Sequence, residues 1–179
     1  MNCFFKSLPV IFTIFLLSIW APLYATIVSI EINMLNPCHH ISIVITDEQH
    51  PGHKERLDRW GGNGTMSAPE IINFSVDLDY DEVKKIYNDI KLGAGGSCCY
   101  ENCADEVKLF FIHLLEKINE QTQADIAMEA NHQCCTPFFC CLCFFPQLCC
   151  CTLPYSTFNR IADTVNKYPA YLKPVKERI

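Results

Sequence analysis

The chain has 179 residues, half of them hydrophobic, and a formal net charge of −6 at pH 7. That apolar content can bury a core and excludes a disordered polymer, while the length leaves room for one domain with appendages. The negative balance excludes the usual nucleic-acid binder, which presents a basic face, and no basic–aromatic motif replaces it.

Residues 1–25 read as an export signal or, if left uncleaved, an N-terminal membrane anchor. Lys6 supplies the positive charge, residues 8–20 the apolar run, and Leu23-Tyr24-Ala25 a cleavage site. No Lys or Arg follows until Lys54, an asymmetry that orients the remainder away from the cytoplasm. Localisation is therefore expected to be exported or membrane-associated.

Two strand-like runs follow, 26–33 and 40–46, both rich in Ile and Val. In the second, Ile41, Ile43 and Ile45 share one face, and His40, Ser42 and Val44 share the other. His40 thus stands on the less oily face, where a site could open. Residues 47–55, with Pro51-Gly52, read as a loop, 56–60 as a short antiparallel return strand, and 71–78 as another strand. Asp79-Tyr80-Asp81-Glu82 fits a capping box, and Val83, Ile86, Tyr87 and Ile90 keep helical spacing behind it. The glycine-rich stretch 93–97 breaks the chain. A second helix then opens at Cys103, with Ala104, Val107, Phe110, Phe111, Leu114 and Ile118 as its apolar stripe. Ser156 can cap a final helix carrying Phe158, Ile161, Ala162, Val165 and Tyr168, followed by a basic tail with Lys173, Lys176 and Arg178. The chain divides into the signal at 1–25, an α+β domain at 26–131, a Cys/Phe-rich segment at 132–155, and an amphipathic basic helix and tail at 156–179.

The pair that carries chemistry is His40, opening a strand, and Cys103, opening a helix. A thiol hydrolase needs a cysteine whose thiolate is favoured and an imidazole within reach of its proton. A helix N-terminus favours such an anion through its unpaired N–H groups and its dipole. Cys103 could equally be a buried core thiol or half of a disulfide with Cys98 or Cys99. His39 competes with His40, but alternation turns it to the opposite face. His113 lies ten residues into the cysteine helix, roughly 15 Å away, and cannot be the base. Cys38, His39, His40, His50 and His53 could instead form a zinc site, although no second spaced ligand pair supports one. Asn63 and Asn73 sit in glycosylation sequons.

The segment His40-Ile-Ser-Ile-Val-Ile followed, after a strand and a helix, by Asn102-Cys103 at the head of a long helix resembles the permuted papain-like thiol hydrolases. These include the permuted NlpC-type hydrolases, the lecithin retinol acyltransferase relatives and the PPPDE isopeptidases. In ordinary papain-like enzymes the cysteine helix precedes the histidine strand; the permuted branch reverses that order, as here. The family's His-x-x-Ile-aromatic-aliphatic strand falls on His40, Ile43, Val44 and Ile45, with Val44 in place of the frequent Tyr. Glu106 and Lys108 make the first helical turn more polar than usual, and Cys98-Cys99 are additional.

The resemblance covers about residues 36–120 and implies an α+β permuted papain-like fold, a small antiparallel sheet packed on the nucleophile helix. It further implies that Cys103 attacks a carbonyl with His40 as general base and then acid, and that Asn102 supports the turn and oxyanion. A third residue should come from a neighbouring strand, where Asp58 is the choice. Asp47, seven residues along the strand and roughly 23 Å away, is too distant. Implied substrates are peptide, peptidoglycan or lipid-like, with no cofactor and no metal.

The chain's 13 cysteines are unevenly placed, eight of them lying within 134–151. As a zinc site that island offers only Cys140-x-x-Cys143. As a disulfide framework it is awkward, because adjacent cysteines cannot readily bridge each other. Pro137, Pro146 and Pro154 argue against a regular spanning helix. The string resembles multiply S-acylated membrane tethers, with Cys140, Cys141, Cys143, Cys149, Cys150 and Cys151 as candidate sites and the membrane surface as partner. S-acylation is usually cytosolic, which conflicts with an export signal, and the island could also simply pack on the domain. A non-catalytic membrane-attached module and a disulfide-stapled secreted binding domain are the rival functional readings.

Overall fold

A computed structural model describes residues 25–33, 40–58, 70–90, 103–128 and 146–175, with 146–153 described for the backbone alone. Within them the protein is mixed α+β. Five antiparallel strands are β1 (Thr26–Asn33), β2 (His40–Asp47), β3 (Lys54–Leu57), β4 (Glu70–Val76) and β5 (Lys173–Pro174), in the order β3-β2-β1-β4-β5. Three helices accompany them: α1 (Tyr80–Asp89), α2 (Cys103–Thr122) and α3 (Pro146–Lys167).

Alternation decides which way each strand faces. In the register Val28↔Ile45, Ile30↔Ile43 and Ile32↔Ile41, β-branched side chains oppose one another across β1 and β2, and all are fully buried. Phe74 and Val76 of β4 and Leu57 of β3 continue that apolar face. The helices cover it with Phe110, Phe111 and Leu114 of α2 and Ile161 and Val165 of α3. Phe74 and Phe111 meet edge to face, their ring centroids 5.8 Å apart. Replacing Phe111 by Ala should cost about 3–5 kcal/mol, read as a lowered urea midpoint, because both rings lose their partner in a fully buried place.

The cap of α1 forms as its sequence suggests, with Asp79 Oδ1 accepting from the Glu82 backbone N–H at 2.7 Å. The β2–β3 hairpin differs from expectation. Pro51 and Gly52 form a turn in which the His53 N–H reaches the His50 carbonyl, and the Asp47 N–H bonds back to the His53 carbonyl. The hairpin therefore starts β3 at Lys54, so two polar residues expected in the loop become strand; Trp60 lies outside the described residues.

The C-terminal helix also differs. It begins at Pro146, not at a Ser156 cap, and continues through a buried Pro154. Proline is well suited to the first helical position, whereas Pro154 removes an interior hydrogen bond that the packing on either side must offset. Nor does the segment after 155 stand apart from the 26–131 domain. Phe158, Ile161, Val165 and Leu172 join the same core, and β5 adds to the sheet edge beside β4. Among the described residues no helix is long and apolar enough to cross a membrane.

Candidate active site

His40 is the first residue of β2, and its neighbours correct one expectation about its face. Ser42 and Val44, on the same side, are each only 1 % exposed, so that face is covered along its middle and opens at its ends, at His40 and Thr46. The register Ile43↔Leu57 carries the chain on so that Asp58 falls opposite Ser42, one diagonal place from His40 on the same face. The contact follows directly: His40 Nε2 and Asp58 Oδ2 are 2.7 Å apart, with the carboxylate buried and the ring one-fifth exposed.

The ring also meets the thiol of Cys103, the first residue of α2. Cys103 is a free thiol, half-buried against the core, which disfavours the disulfide alternative. The hydrogen bond to Asp58, then that to Cys103, push the His40 pKa from 6.5 up to about 10 against the opposing effect of burial. The ring is therefore a cation at neutral pH. The Asp58 carboxylate is the first cause of that charge and its principal partner.

Three residues separated in sequence by 18 and 45 positions thus converge at the start of β2, the end of β3 and the head of α2. No protein-family model, curated protein or solved structure matches the chain.

Several sequence candidates do not join it. Asn102, Cys98, Cys99, Cys140, Cys141 and Cys143 lie outside the described residues, as do the side chains of Cys149, Cys150 and Cys151. Of the zinc grouping, Cys38 and His39 lie outside the described residues, and His50 and His53 follow the far end of β2 from His40. There His50 pairs with Asp47, and His53 stacks on Tyr80 with ring centroids 4.2 Å apart. Among the described residues no group of three or more His, Cys, Asp or Glu side chains is placed to hold a metal ion. His113 is taken up by Glu116 on the exposed side of α2. Asn73 lies half-buried within β4, not on the surface loop that suits a glycan acceptor. Asn63 is outside the described residues.

A cavity of about 310 Å³ lies elsewhere, at the far end of β2, lined in part by Asp47, His50, His53, Asp79 and Tyr80. Its polar groups largely answer one another. Asp47 serves His50, Asp79 caps α1, and the Tyr80 hydroxyl donates to Glu55.

Two polar arrangements had no sequence warning. On the His40 face, Arg56 donates to Ser42 Oγ at 2.8 Å and pairs with Glu31, which is buried. On α2, Glu106 accepts from the Tyr87 hydroxyl. Cross-strand register is the only signal that could have joined Glu31 to Arg56, and nothing local announces Tyr87 with Glu106.

Proposed function

We propose that the chain is a thiol hydrolase or acyltransferase of permuted papain-like design, acting on an amide, isopeptide or ester carbonyl. The observation that carries this reading is a single imidazole held by a buried carboxylate and meeting a free thiol at a helix start. The order of elements supports it: the histidine strand precedes the cysteine helix, and an antiparallel sheet packs against that helix.

The reaction follows from the charges. His40 is protonated at neutral pH, its charge held first by Asp58, and the reacting form in this proposal is that imidazolium beside a Cys103 thiolate. The Cys103 sulfur adds to the carbonyl carbon, forming a C–S bond while the carbonyl electron pair moves onto oxygen. The backbone N–H of Cys103, at a helix start where no intrahelical acceptor exists, is the donor proposed to hold that charge. Collapse expels the amine or alcohol, which takes the proton from His40. Neutral His40 next removes a proton from water, or from an acceptor nucleophile, as it attacks the thioester. Loss of sulfur restores the original pair. Asp58 keeps the ring oriented and its charge balanced throughout. Export through residues 1–25 and membrane attachment through acylated cysteines of the 134–151 island belong to the same proposal.

Acyl capture provides the test. Mixing the purified protein with a nitrophenyl ester should give a burst of nitrophenolate and one acyl group on Cys103 in an intact-mass and peptide map. Cys103→Ala should give neither. Acylation spread over other residues, or unchanged by that substitution, would refute the assignment.

A further inference from the structure

A buried carboxylate close to the sulfur plays no part in the chemistry above. Glu106 lies three residues after Cys103 with 2 % of its surface exposed, and the Tyr87 hydroxyl donates to it at 2.5 Å. Residues three apart are neighbours on a helix surface, so this bond grips the turn that carries the nucleophile. Its other end is the last turn of α1, where Tyr87 is itself buried and makes an edge contact with Phe110. A carboxylate is costly to bury, and apolar packing alone would be served by leucine at this place. The titratable groups around the turn are His40 from β2, Asp58 beyond β3, Tyr87 from α1, and Asp105 on α2 itself.

We infer that the Tyr87–Glu106 hydrogen bond positions the nucleophile, clamping the first turn of α2 to α1 so that the Cys103 sulfur stays seated on His40. The inference rests on the thiol-hydrolase reading. Tyr87 and Glu106 are positioning residues and take no part in bond making. Gln at position 106 keeps an acceptor for the Tyr87 hydroxyl, so the clamp survives. Ala at 106 or Phe at 87 removes it.

A double-mutant cycle on the full chain tests this, reading the second-order rate of Cys103 alkylation by iodoacetamide at pH 7, well below each variant's unfolding temperature. In the wild-type background His40→Ala slows the reaction. Tyr87→Phe and Glu106→Ala each lower the rate on the order of tenfold, since small misplacements of reacting groups are expensive. In those two backgrounds the further loss caused by His40→Ala is smaller than in the wild type by that same factor of about ten. Glu106→Gln retains both the rate and its dependence on His40. Should Tyr87→Phe not fold, the two Glu106 variants make the comparison without it.

A purely structural bond would lower the unfolding temperature and leave the His40 dependence whole, which would overturn the inference. Glu106→Gln losing as much as Glu106→Ala would also overturn it. If His40→Ala has no effect even in the wild-type background, the enzymatic reading fails and the clamp falls with it, an outcome distinct from the other two.

Discussion

His40→Ala lowers the rate at which a cysteine-directed electrophilic probe labels Cys103 by between about 10² and 10⁴. The imidazolium is the group that meets the sulfur, and among the described residues no other histidine is placed to replace it. His113 is on the exposed side of α2 with Glu116, and His50 and His53 lie beyond the far end of β2. Removing the ring also leaves the buried Asp58 carboxylate without its cation, so unfolding must be followed in parallel. Labelling compared at equal folded fraction isolates the chemical effect. Equal rates in the two proteins would leave the sulfur without an acid–base partner, and a binding module anchored by its cysteine island would become the better account.

Asp58→Asn has the second-largest effect, and its signature is a change in pH dependence. Asp58 is the leading cause of the raised His40 pKa, so the asparagine variant should titrate well below about 10, followed by the ring's NMR shifts. The linkage to stability has a definite sign. His40 titrates at 6.5 unfolded and about 10 folded, so between those values the native state holds the extra proton. The stabilisation is complete below pH 6.5, declines as pH rises, and is gone above pH 10. Urea midpoints of the wild type should therefore fall across that window, and Asp58→Asn should flatten the decline. Acyl turnover should drop about tenfold to a hundredfold, because the ring loses both orientation and charge balance. A pH profile of stability identical in the two proteins would show that Asp58 does not hold the ring protonated.

The elements set by local pattern were legible in the sequence. The Ile/Val alternation of β1 and β2, the Asp79 cap and the stripe of α2 each depend on neighbours within a turn or two, and the structure contains all three. The pairing of His40 with Cys103 was expected chiefly from a resemblance, and Asp58 only as a carboxylate on a neighbouring strand; the structure brings the three together. What composition obscured was long-range. Lys54 and Glu55 look like loop and become strand because the Pro51-Gly52 turn closes the hairpin there. Pro146 and Pro154 look like breaks and sit inside a helix packed through Phe158 and Ile161. Glu31 with Arg56 and Tyr87 with Glu106 are pairs that only tertiary register can bring together.

The placement of Leu172 and β5 has a consequence for biosynthesis. Leu172 is fully buried in the core, and Lys173 and Pro174 complete a sheet whose central strand begins at Thr26. A ribosome-bound nascent chain halted near residue 150 would hold His40, Asp58 and Cys103, yet lack Ile161, Val165 and Leu172. Such arrested chains should be digested readily by added protease and should resist only once residue 172 has cleared the exit tunnel.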